Sequence, residues 1–273
     1  MLVNYSFIPF KNSWDRIKRA ETHSFAFGEA WKSFSKTELH TAVLHIDDDG
    51  TGTLRCVPAK SAVPSHFPLL LGEMLYQLRA ALDNAIYDAA IIDSNHNPPP
   101  NAGDLEFPIC VNARCFKQVA RTAIAPLSAG HRGLVEALQP YNAPQASSEG
   151  AVLSIQRSLR TLKDWTQTDR HRTLNVFSSW ITHTRPELKL PEGVHLKSMR
   201  IQRHGFLERG DIMARFRLKG FVKGMNVQIM PDLHFTLALD EAPIASHHTD
   251  DLSTRTNMML LTVKEIVRKI ETC

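Results

Sequence analysis

The chain reads as an α+β protein: a helical bundle core with an N-terminal β-hairpin, a C-terminal antiparallel β part and a closing helix. Three observations predict this class. Apolar residues recur at helical spacing through most of the sequence up to position 183. From His195 onward they alternate as in strands, and a helical stripe returns over Asp250–Thr272. The strands do not interleave regularly with helices, so a doubly wound parallel sheet is not predicted.

The elements follow in order. Residues 13–36 form a helix with Ile17, Ala20, Phe27, Trp31 and Phe34 on one face and Ser13 as its N-cap. Two β-prone runs, Thr41–Ile46 and Thr53–Val57, flank Asp47-Asp-Asp-Gly-Thr-Gly52 and make a hairpin. Pro58, Pro64 and Pro68 then punctuate the approach to a helix over 69–92. Its apolar stripe is continuous: Leu71, Met74, Leu75, Leu78, Leu82, Ala85, Ile86 and Ala89. Pro98-Pro-Pro100 breaks it, and Phe107-Pro-Ile-Cys110 is extended. Helices follow at about 113–122, 130–139 and 149–183, the last with a break near Asp169. Strands are predicted over His195–Ile201, Asp211–Lys219 and Val227–Leu239. The closing helix places Leu252, Met259, Val263, Ile266 and Ile270 on one face.

The chain has 273 residues, 43% hydrophobic and 22% charged, enough to bury a real core. Residues 1–185 are expected to form the hairpin and helical core, and 186–273 the strands and terminal helix, packed as one unit with it. The N-terminus lacks the marks of a signal peptide, and no 18-residue apolar window exists, so a cytoplasmic protein without a membrane span is expected. Cys110 and Cys115 stand too far apart for a CxxC pair, and Cys56, Cys110, Cys115 and Cys273 read as free thiols in a reducing cytosol. The net charge of +4 hides a local feature: residues 195–224 carry eight Lys/Arg against Glu208 and Asp211, a net +6 that leaves −2 for the remainder.

The familiar nucleotide, hydrolase, zinc-protease and calcium signatures are absent, and no cofactor or metal is expected. His247-His-Thr-Asp-Asp251 is rich in ligand types, but Asp250 there suits a helix N-cap and Asp251 the helix dipole.

Three constellations carry chemistry. Tyr76, Arg79, Asp83 and Tyr87 share a polar strip on the helix over 69–92, where an i,i+4 Arg–Asp pair is ordinarily a solvated contact worth little. Asp169 continues the apolar face Ile155, Leu159, Leu162, Trp165, with Val176 and Trp180 beyond it. A carboxylate there must be paired or shifted in pKa, so Arg79 across helices or Arg172 locally is the expected partner. Asp169 should be largely buried against one or both. The pair is either structural or, with His171, a site. In the strand 212–219, Arg215, Arg217 and Lys219 face away from Ile212, Ala214, Phe216 and Leu218. Such a row either tracks phosphates or forms a solvated sheet face that protects an edge.

The Leu78-Arg79-x-Ala-Leu-Asp83 segment together with Asp169-x-His171-Arg172 resembles a widespread bacterial group with no assigned activity. Its usual forms are Leu-Arg-Ser-Ala-Leu-Asp-His and Asn-Asn-x-Asp-Lys-His-Arg. Phe107-Pro-Ile109 and Leu138-Gln-Pro-Tyr141 share the likeness, which covers most of 70–270. Asn84 stands where that group has histidine, and Trp165-Thr-Gln-Thr168 replaces its asparagine-rich run. More distantly the helical core resembles the HEPN superfamily of prokaryotic helical domains, many of which act on RNA in defence and toxin systems. Their ribonuclease signature is Arg, four to six residues, then His. Arg79–Asn84 has the spacing without the histidine, and the literal match is Arg16–His23 inside the first helix.

The bacterial likeness implies a shared fold and a shared polar site, not a reaction. The local +6 segment, the Arg/Asp/His site and the distant HEPN likeness together lead to the expectation of a HEPN-like protein that engages nucleic acid, RNA first, in a defence or stress role, with Arg79, Asp83, Asp169, His171 and Arg172 as catalytic candidates. Arg215, Arg217 and Lys219 are the candidate nucleic-acid contacts. The competing readings are a non-enzymatic interaction or scaffold module and a small-molecule enzyme whose pocket is lined by Tyr76, Arg79, Asp169 and His171; a homo-oligomer is compatible with each. The sequence alone decides on no reaction.

Overall fold

A computed structural model describes residues 7–34, 40–58, 64–143, 155–171, 176–184, 187–201, 205–206, 210–230, 233–239 and 252–273. In chain order the elements are α1 (Lys11–Phe34), β1 (His40–Ile46), β2 (Thr51–Pro58), α2 (His66–Ser94), α3 (Ala113–Ala123) and α4 (Ala129–Ala137). Then come α5 (Ile155–His171), β3 (Val176–Thr184), β4 (Glu187–Lys189), β5 (His195–Ile201), β6 (Gly205–Phe206), β7 (Ile212–Lys219), β8 (Gln228–Met230), β9 (Leu233–Leu239) and α6 (Leu252–Glu271). The class is α+β, with the N-terminal hairpin and the closing helix in place. No helix among the described residues is long and apolar enough to cross a membrane.

Two units interleave along the sequence. One comprises Met1–Gly28, Pro68–Leu174 and Ser253–Cys273; the other comprises Glu29–Phe67 and Asn175–Leu252. The expected boundary at 185/186 therefore differs from the observed one. The hairpin groups with the later strands, because β2 pairs antiparallel with β7, and α6 groups with the earlier helices.

The helical unit is organised by α2. All eight residues of its predicted stripe are at most 2% exposed. Each such side chain is worth roughly 1.5–3 kcal/mol relative to exposure. Pro68 sits in the first turn, where its missing N–H would have had no helical partner anyway. Three aspartates of α2 each accept a backbone N–H from a different segment. Asp83 takes Phe107 at 2.9 Å, Asp88 takes Phe10 at 2.7 Å and Asp93 takes Ser128 at 2.7 Å. Helix α1 starts at Lys11, two residues before the expected cap. Ser13 is thus inside the first turn, buried, and its hydroxyl has no partner among the described residues; Asp88 serves the chain at the helix start instead. In α5, Leu159, Leu162 and Trp165 are buried as predicted, and Arg255 of α6 lies 4.4 Å over the Trp165 ring.

The β-rich unit contains a four-stranded antiparallel sheet in the order β1-β2-β7-β5. Its inner face packs Phe216, Leu218 and Val194 with Leu44, Ile46 and Met199. Gly52 is required here: it faces Phe216 in register, and a Cβ would stand 2.2 Å from the ring. A second sheet has the order β6-β3-β9, and β4 pairs with β8.

Two expectations are corrected. The helix expected over 149–183 ends at His171, beside the break expected near Asp169, and 176–184 is strand β3 rather than a second helical part. Val-Phe-Ser-Ser-Trp-Ile-Thr is rich in β-branched and aromatic residues, so its apolar positions fit either period and its pairing with β9 decides. Val227–Leu239 is two strands in different sheets, not one.

Candidate nucleic-acid interface

The period-2 pattern of β7 puts Ala214, Phe216 and Leu218 inside and Arg215, Arg217 and Lys219 outside. The register extends this outer face across all four strands. His45, Thr53, Arg215 and Arg200 form one row, because each faces the next across a strand pair. Thr51, Arg217 and Ser198 form the next row, and His195 stands opposite Lys219. Arg55, two residues from Thr53 on β2, is exposed on the same side, whereas Leu54 between them is fully buried. Five formal cations share this face: Arg55, Arg200, Arg215, Arg217 and Lys219.

Arg200 and Arg215 are direct cross-strand partners. Like charges in that position destabilise a sheet. Among the described residues, the ion pairs around this face join Arg217 to Asp49 at 4.0 Å, Lys223 to Asp48 at 3.1 Å and His45 to Asp47 at 3.1 Å. None engages Arg200 or Arg215. Asp49 is held below the usual carboxylate range, first by the Thr51 backbone N–H and then by the Thr51 hydroxyl. A groove of about 440 Å³ runs over this end of the sheet, lined by Arg55, Arg200 and Arg215 with Asp211 as its acid. Arg55 is fixed at its rim by donating to the Gly210 carbonyl at 2.9 Å. No Phe, Tyr or Trp among the described residues belongs to the outer face, so it offers guanidinium, ammonium and hydroxyl groups but no stacking platform.

The helical candidates converge only in part. Arg79 reaches Asp83 at 3.0 Å and Glu106 at 3.4 Å. It does not reach Asp169, so the expected cross-helix pair is not formed. The Asp169 carboxylate instead covers Gly72, where a Cβ would lie 2.6 Å from its Oδ2. Gly72 and Arg79 are seven residues apart, about 10.5 Å along the helix axis. Asp169 is also only half-buried, at the end of the apolar face of α5 rather than in its middle, and burial pushes its pKa up. His171 is the last residue of α5, while Arg172 and His247–Asp251 lie outside the described residues.

Asp83 is itself pushed up by burial, against the lowering effects of Arg79 and the Phe107 N–H. The cluster Arg79–Asp83–Glu106 thereby ties the segment after Pro98–Pro100 to α2. Tyr76 is exposed and Tyr87 half-buried, without joining that cluster. The literal Arg16–His23 match faces α2: Arg16 donates to Gln77 at 3.0 Å, and His23 lies 3.0 Å from Glu73. Ser128, His131 and Asp93 have the composition of a hydrolytic triad but not its geometry. Asp93 and the Ser128 hydroxyl both approach the same ring nitrogen, His131 Nδ1, at 2.7 and 3.2 Å, while Nε2 lies 3.0 Å from the Ile270 carbonyl, so the imidazole does not bridge acid and hydroxyl as a triad requires.

Sequence reasoning missed Arg55, Arg200 and the hydroxyl rows. Arg200 carried a signal, since it belongs to the +6 segment on a predicted strand. Arg55 carried none, because nothing local pairs β2 with a strand some 160 positions later. Comparisons with protein-family models, with curated proteins and with solved structures find no match.

Proposed function

We propose that this protein engages nucleic acid, RNA first, through the outer face of the β1-β2-β7-β5 sheet. The observation that carries the reading is the Arg200–Arg215 juxtaposition. Two guanidinium groups are set opposite each other, with no ion pair to either among the described residues, beside a third that is fixed at the groove rim that Asp211 also lines. A sheet face serving only solubility gains nothing from that arrangement, whereas a phosphate between the guanidiniums offsets their repulsion. The lack of aromatic side chains argues for contact with the sugar–phosphate backbone and therefore for little sequence preference. RNA is placed before DNA by the likeness of the helical part to HEPN domains, which also suggests a cytoplasmic defence or stress setting. Cleavage forms no part of the proposal, because Asn84 cannot act as a general base beside Arg79.

The test is fluorescence anisotropy of the full chain with labelled single-stranded RNAs of unrelated sequence. Three to five phosphate contacts predict a slope of log K against log salt of roughly −2 to −3.5. Alanine at Arg215, Arg217 and Lys219 should weaken binding to all sequences alike. Absence of binding at low salt would leave the scaffold reading in its place.

A further inference from the structure

Cys110 and Cys115 are five residues apart, outside the spacing of familiar redox motifs, yet their sulfurs lie 2.8 Å from each other. Both backbones are pinned. The Cys110 N–H donates to Gln139 Oε1 at 2.8 Å, and the Gln139 amide nitrogen, fully buried, donates to the carbonyls of Pro108 and Val135 at 2.8 and 2.9 Å. Cys115 stands in the first turn of α3, its N–H accepted by the N-cap Asn112 at 2.8 Å. Closing to a bond length near 2.05 Å needs the sulfurs to approach by only about 0.8 Å, which side-chain torsion can supply while those anchors hold. We propose that Cys110 and Cys115 are a reversible dithiol/disulfide couple, oxidised by a low-molecular-weight disulfide.

The two sulfurs have different parts. Cys110 is 2% exposed, and burial, followed by the adjacent Cys115, pushes its thiol up to about 12. Cys115 is half-buried, the more exposed residue of the two. The Cys115 thiolate attacks one sulfur of the oxidant, whose S–S bond breaks as a mixed disulfide forms at Cys115 and one thiolate departs. That thiolate, or solvent, takes the proton from Cys110. The Cys110 sulfur then attacks Cys115 Sγ and displaces the second small thiol. Two protein thiols are oxidised and one small disulfide is reduced to two thiols. The product joins the extended segment 107–110 to the first turn of α3 through a short loop.

The experiment uses the full chain incubated with oxidised glutathione, quenched with a thiol-blocking reagent, digested with trypsin and mapped without reduction. The sequence places the two cysteines in different peptides, Ala80–Arg114 and Cys115–Lys117. A species joining these two, lost on reduction, is the expected result. A map in which they remain unlinked, or in which either is joined to Cys56 or Cys273 instead, overturns the proposal. In a C56S/C273S variant the pair alone remains. Its mass should fall by two hydrogens with no glutathione retained, and a retained adduct as the sole product would be equally contrary. Cys110→Ser should trap glutathione on Cys115, and Cys115→Ser should leave Cys110 unmodified while folded. Modification of Cys110 in that variant would refute the division of roles.

Discussion

Replacing Arg200 with glutamate should make the protein more stable and a poorer ligand for RNA. Arg200 and Arg215 face each other across β5 and β7, both exposed. Arg200→Glu removes a cross-strand repulsion and installs an opposite-charge pair, each effect being worth up to about 1 kcal/mol at most. Screening at this exposed site reduces the sum to roughly 0.5–1 kcal/mol. For a chain of this size that corresponds to about 1–4 °C in melting temperature, where unfolding is two-state. On the proposed reading the same change deletes one phosphate contact and adds a repelling carboxylate. RNA affinity should fall about five- to tenfold near 0.1 M salt, with the salt slope shallower by about 1. Thermal unfolding at low and high salt reads the first effect, and anisotropy titration reads the second. The stabilisation should shrink at high salt, since the Debye length drops to about 3 Å at 1 M. A lower melting temperature at low salt would refute the account of the sheet face, and unchanged affinity would remove Arg200 from the interface.

Gly72→Ala should be coupled to Asp169. With the carboxylate in place the new Cβ meets it at 2.6 Å, whereas in an Asp169→Ala background the helix should gain about 0.8–1.0 kcal/mol from the better helix former, so a double-mutant cycle by urea unfolding should show clear non-additivity and additive effects would contradict the contact. Asp88 gives a pH prediction. Burial raises its pKa above the ordinary 3.8 despite the Phe10 N–H, so the folded state binds its proton more tightly than the unfolded chain. The stability that this shift contributes is fully present below the unfolded value and is lost as pH rises through the folded value. Wild type should therefore gain on Asp88→Asn as pH is lowered from neutral through that window. Urea midpoints compared at several pH values check the sign, and a gain in the opposite direction would refute it.

What the sequence discloses depends on how local the deciding interaction is. The stripe of α2 and the alternation of β7 were legible because periodic burial is written in neighbouring residues. The end of α5 was not, because Trp180 and Val176 suit a helical face as well as a strand, and the β9 partner is about 55 positions away. The i,i+4 spacing of Arg79 and Asp83 was legible, but the second carboxylate on Arg79, Glu106, comes from an aperiodic loop that no spacing rule connects to it. The Cys110–Cys115 contact was hidden for a related reason: a chain entering a helix from an extended segment brings i and i+5 together, a geometry that appears only once the start of α3 is known. The outer sheet face was half legible, through β7 and β5, and became a surface only when β2 docked beside β7.

The apolar stripe of α2 sets which side of the helix is buried, but apolar contacts are not directional and leave the exact rotation loosely fixed. Asp83, Asp88 and Asp93 remove that freedom. They recur every five residues, so successive carboxylates turn by about 140° and point in three well-separated directions. A slip of one residue would turn the helix by about 100° and shift it 1.5 Å, and all three carboxylates would then miss Phe107, Phe10 and Ser128 together. The helix is keyed like a shaft in its bearing: grease-like contacts carry the load, and three small teeth fix the angle at which it seats.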